Sequence, residues 1–203
     1  MSAAATGSAA ARASVLALPL MMIWFVVSSA LRSRTSCGSR TSQSIGPGTC
    51  KLYLCAVKDV FSNRIVGYSI DRRMSSQLAV DALQMALARR GGKAGVQGCR
   101  VHSDRGSQFR SRRFVETLRV NGLVGSMGRV GAAGDNAAME SFFALLQKNV
   151  LDRRRWQSFD QLRLAIVSWI ERTYHRRRRQ ARLGKLTPVE FEMVQSVQAA
   201  AAA

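Results

Sequence analysis

At 203 residues the chain is long enough for a domain with a real core, and 47% hydrophobic residues exclude compositional disorder. Lys and Arg number 31 against 12 acids, a net charge of +19 that suits a polyanionic partner far better than a small metabolite. Four cysteines with no C-x-x-C pair and only two histidines argue against a structural zinc site, and a disulfide framework is not expected in such a chain.

The chain divides near residue 50. Upstream there is no acidic residue; the first is Asp59. Residues 1–14 are rich in Ala, Ser and Gly and read as a disordered tail. Residues 15–31 are nearly all apolar, preceded by Arg12 and ending in Ser28-Ser29-Ala30, the pattern of a signal peptide or short membrane helix. Residues 32–50 show no clear period. From Lys51 the sequence has ordinary globular patterning. Residues 52–61 suit a buried strand, Ser62-Asn63 a turn, and residues 64–70 a second strand closing a hairpin. Residues 75–90 form a helix capped by Ser75 or Ser76 and stopped by Gly91-Gly92. A short strand over 99–103, a helix over 111–120 and a last strand over 123–127 follow. Asp135 caps a helix running to about Leu151, and a long amphipathic helix spans residues 158–176. This order implies a mixed α/β sheet flanked by helices.

Two stretches carry candidate chemistry. Asp104, in His102-Ser103-Asp104-Arg105-Gly106-Ser107-Gln108, ends a predicted strand before a polar loop, where ligands gather in α/β sheets. Glu140 lies in the first turns of the helix opened by Asp135-Asn136-Ala137-Ala138. Read singly, Asp104 and Asp135 are ordinary caps and Glu140 complements a helix dipole. Read together, with thirty-five residues between Asp104 and Glu140 and with these flanks, they resemble the DDE catalytic core of bacterial insertion-sequence transposases. Residues 57–67 resemble that family's second and third strands, and Tyr174-His175-Arg176-Arg177-Arg178-Arg179 and residues 186–192 its closing segment. The resemblance runs over residues 51–194, leaving residues 1–50 outside it and 195–203 as a disordered tail.

The resemblance implies a ribonuclease-H-like fold and metal-assisted phosphoryl transfer on DNA. Three carboxylates would hold Mg²⁺ or Mn²⁺, hard cations that take oxygen ligands. Asp104 and Glu140 would be two of the three, with His102 and Asn136 supporting the site or touching the scissile strand. The third belongs on the first strand, at about Thr41, where no acid stands, and Asp59 belongs to the next strand, where it serves the hairpin. The first strand is therefore expected to be degraded. Back-translation of residues 36–47 in a shifted frame can spell L-W-L-T-D-I-T-E-H-W-T, the look of the family's missing motif, so residues up to about 50 are expected to be out of frame and the copy inactive. Arg153, Arg154, Arg155, Arg176, Arg177, Arg178, Arg179 and Lys148 are expected to contact phosphates. The implied partners are transposon-end and target DNA and a second copy of the chain, in the bacterial cytoplasm, with residues 15–31 mimicking an export signal. The competing readings are a non-catalytic DNA-binding or dimerising remnant of the same fold and a membrane-anchored basic protein.

Overall fold

The computed structural model describes residues 23–34, 49–127 and 137–202. Their centre is a five-stranded sheet in the order β3-β2-β1-β4-β5. The strands are β1 (Ile23–Arg34), β2 (Thr49–Asp59), β3 (Ile65–Asp71), β4 (Arg100–Ser103) and β5 (Val124–Met127). β1 pairs antiparallel with β2, β2 antiparallel with β3, and β4 runs parallel to both β1 and β5. Crossing from β3 to β4 takes α1 (Ser76–Arg89) and α2 (Gly92–Val96), and from β4 to β5 takes α3 (Arg112–Val120). Beyond β5 come α4 (Ala137–Leu146), α5 (Phe159–Ser168) and α6 (Pro188–Ala201).

The predicted hairpin, helices and later strands all form, and the mixed sheet flanked by helices is as expected. The central strand is a correction. The sequence gives no usable first strand upstream of residue 50, yet Ile23–Arg34, largely inside the apolar run read as signal-like, occupies the middle of the sheet. The physical reason is two-sided burial. A strand covered by helices on both faces needs no polar alternation, only apolar and β-branched residues, and Trp24, Val26, Val27 and Leu31 supply them. Trp24 and Val26 enter the core under α1 and α3, whereas Val27 and Leu31 enter the core under α4 and α5. Among the described residues no helix is long and apolar enough to cross a membrane.

Two smaller differences concern the helices. The element predicted to run to Leu151 ends in a π-helical turn, Gln147–Leu151, and the long helix predicted over 158–176 breaks into α5 and a second π-helical turn, Trp169–Tyr174. Residues 195–201, expected as tail, continue α6, whose Thr187–Glu190 capping box and first-turn proline start it and whose alanines favour its extension. The turn between β2 and β3 is fixed by Asn63 in the left-handed region (φ 57°). Gly67 lets α1 rest directly on β3: a Cβ there would stand 2.1 Å from the Ala82 carbonyl oxygen.

Candidate active site and nucleic-acid surface

Asp104 follows the last residue of β4, and its half-buried carboxylate accepts the Gly106 N–H at 2.7 Å, holding the loop in a tight turn. Alternation along β4 fixes its direction. Val101 enters the core beneath α1 and α3, so His102 and Asp104 face the opposite side, the side on which α4 packs. His102 Nδ1 lies 2.8 Å from Ser126 Oγ on β5. Glu140 sits in the first turn of α4 and is exposed, while Met139, Phe142 and Leu146 on the same helix anchor it to the sheet. Asp104 and Glu140 thus lie on one side of the sheet, one at a strand end and one at a helix start. Asp135, Asn136 and Thr41 lie outside the described residues, as does the segment 36–47.

The end of the β1–β4 pairing bears on what stands near Asp104. β1 and β4 are in register from Ile23↔Arg100 to Val26↔Ser103, and the residues that follow this last pair are Val27 on β1 and Asp104 beyond β4. Val27 is 8% exposed and packed in the core shared with α4. The described residues contain no group of three or more His, Cys, Asp or Glu side chains able to hold a metal ion. Oxygen donors of the right kind are present in Asp104 and Glu140, but the β1 residue after the last pair carries an isopropyl group.

Asp59 is excluded from this site. It is buried at the far end of β2, where its carboxylate accepts the Phe61 and Ser62 N–H groups and meets Arg90 at 2.8 Å. Arg90 also binds Glu192 of α6, which in turn holds Arg64 at 2.5 Å. Burial raises the Asp59 pKa against the opposing pull of Arg90 and the two backbone donors. Sequence reasoning anticipated hairpin bonding here but missed the tie to α1 and α6.

It also missed the role of Tyr174-His175. His175 is buried, its Nε2 accepting the Ile65 N–H at 3.1 Å and its Nδ1 standing 3.3 Å from Glu171. The Ile65 bond requires Nε2 to be unprotonated, so the proton resides on Nδ1 and points at Glu171. Burial pushes the His175 pKa down. Glu171 is held down to about 2, first by its bond with His175 and also by Arg89 and Tyr68. Tyr174 donates to the Asn63 carbonyl at 3.1 Å. The signal was present in the sequence as a Tyr-His pair beside an arginine run, but its partners lie more than a hundred residues away.

The basic residues divide by occupation. Arg64, Arg89, Arg90, Arg119 and Arg179 are engaged in ion pairs. Arg153, Arg154, Arg155, Arg176, Arg177, Arg178 and Lys148 are exposed. Arg179, also exposed, reaches Glu190 at 3.7 Å.

Integrase-core family models match residues 35–133 and 121–188. The chain belongs to the integrase-core family. The match begins upstream of Lys51, where the sequence resemblance starts. The chain is 40% identical over 141 residues to transposase InsF of insertion sequence IS3A from Escherichia coli K12, covering 70% of this chain and 48% of that protein. It is 39% identical over 140 residues to a 31 kDa protein of insertion element IS600 from Shigella sonnei, covering 69% of this chain and 50% of that one. The chain therefore spans about half the length of the curated relatives it matches. Among solved structures, the HTLV-2 integrase catalytic core in complex with magnesium superposes with a TM-score of 0.55 at 16% identity, over 84% of this chain and 95% of that one. The BIV integrase catalytic core gives 0.57 at 14% identity, over 88% and 97%. These likenesses establish the ribonuclease-H-like fold of integrase cores.

Proposed function

We propose that the chain is the catalytic core of a DNA transposase in a form that binds DNA but cleaves it poorly. The observation that carries this reading is the integrase-core fold with Asp104 at the end of β4 and Glu140 at the start of α4, with Val27 following the last β1–β4 pair. Asp104 and Glu140 would hold Mg²⁺ or Mn²⁺. When bound, such a cation activates a water or a DNA 3′-hydroxyl and stabilises the leaving oxygen. With no acid at Thr41 and Val27 following the last β1–β4 pair, the donor set is one carboxylate short, and no catalytic step follows from it. What the chain's own residues do is bind. The exposed arginines and Lys148 meet phosphates, His102 supports the site beside Asp104, and the resemblance assigns Asn136 the same supporting role.

The substrate class is transposon-end and target DNA, met in the bacterial cytoplasm, with a second copy of the chain as partner. Its test is incubation of the full chain with duplex DNA and Mn²⁺ beside Asp104→Asn. The reading expects binding that weakens with salt and cleavage no greater than that of the Asp104→Asn protein. A chain that fails to bind DNA at low salt contradicts it.

A further inference from the structure

After α4 the chain turns sharply, and the turn leaves an open concavity of about 370 Å³ lined by Leu151 and the exposed Asp152, Arg153, Arg154 and Arg155. Leu151 is buried and forms its floor. Arg154 is not a free-swinging side chain: its guanidinium lies 4.3 Å from the ring centroid of the buried Trp156. Among the described residues no ion pair engages Arg153, Arg154 or Arg155, in contrast to the arginines of the β2–β3 turn and α1. The carboxylate that lines the pocket, Asp152, is turned to a neighbour, accepting from Gln147 Nε2 at 2.6 Å.

We propose that this pocket is a discrete phosphate-binding site that grips one backbone phosphodiester of DNA. The inference rests on the DNA-binding reading and adds a defined anchor to it. Three chain-adjacent guanidiniums around one concavity supply a fork of N–H donors for phosphate oxygens. The cation–π contact with Trp156 holds Arg154 near its ring beforehand, so less rotamer freedom is lost when the phosphate arrives. Arginines on an open helix face have the charge without this setting.

Affinity for a fluorescent duplex, measured by anisotropy at fixed salt, tests the idea with variants whose folding is checked by thermal melting. Arg154→Ala is expected to weaken binding roughly tenfold, the scale of one charge-assisted hydrogen-bonded contact. Arg154→Lys keeps the charge but loses the planar fork, and is expected to recover less than half of that loss on a logarithmic scale. Arg163→Ala, an exposed arginine of α5 away from the pocket, is expected to change affinity less than twofold. The indole N–H resonance of Trp156, identified by its disappearance in Trp156→Phe, should move on addition of the duplex and in the same direction on addition of inorganic phosphate alone. If wild type binds the duplex with normal salt sensitivity but Arg154→Ala binds equally well, the pocket is refuted and the DNA-binding reading stands. If wild type does not bind, that reading fails too. An indole shift with inorganic phosphate but none with DNA makes it a free-anion site and overturns the proposal.

Discussion

At the scale of single residues, Val27 is the apolar residue that follows the last β1–β4 pair. If the strand position beside Asp104 is what the site lacks, Val27→Asp should create a metal-binding pair. The cost is a carboxylate in a packed core, so the metal-free variant should melt lower than wild type. Mg²⁺ should then raise its Tm more than it raises that of wild type. At a hundredfold excess over the dissociation constant the gain is about 2.7 kcal/mol. Equal Mg²⁺ responses in the two proteins would show that Val27 is not at the site. His175 gives a second residue-scale expectation. Its folded-state pKa lies below the free value, so folding holds it neutral and the unfolded chain binds the extra proton. The stability it contributes is present above about pH 6.5 and is lost as pH falls towards the folded value. Glu171, held down to about 2, loses its contribution lower still, below the free carboxylate range. Replacing His175 with Ala strands the buried Ile65 N–H, which should cost roughly 1–3 kcal/mol, and should flatten the fall in stability between pH 6.5 and 5. Denaturant midpoints measured across that range decide it; an unchanged pH dependence would mean the imidazole does not act as drawn.

At the scale of elements, two junctions hold the helices to the sheet. The first is Gly67, where α1 meets β3 with no room for a side chain. Gly67→Ala is expected to force the helix off the strand and cost upwards of about 3 kcal/mol, read as a drop in Tm. A loss below about 1 kcal/mol would mean the helix shifts freely. The second is the Asp59–Arg90–Glu192–Arg64 network, which fastens the β2–β3 turn to α1 and α6. Most of this architecture was legible in the sequence because it is local. The cap at Ser75 and the Gly91-Gly92 stop each act within a few residues, whereas the Thr187–Glu190 box that starts α6 was not read from the sequence. β1 was not legible. An unbroken apolar run looks the same whether it is bound for a membrane or for the middle of a sheet, and only pairing with β2 and β4 distinguishes them. The site was half legible for the same reason. Asp104 and Glu140 carry recognisable flanks, whereas the identity of their sheet neighbour depends on which segment supplies the strand.

At the scale of the whole molecule, the +19 charge and the exposed arginine runs would make the proposed binding to DNA an electrostatic matter. Binding to duplex should fall steeply with salt, roughly a thousandfold between 50 and 200 mM if six or more phosphates are neutralised. Replacing Arg176, Arg177, Arg178 and Arg179 together with Ala should flatten that dependence; an unchanged slope would make the run solvated surface only. The most direct test of the central claim, an integrase core that holds DNA with an incomplete carboxylate set, is a DNA-cleavage assay on the 203-residue chain with Mn²⁺ at a salt concentration where binding is saturated. Bound duplex with no more cut product than Asp104→Asn yields is the expected result. Strong metal-dependent cleavage that Asp104→Asn abolishes would contradict it.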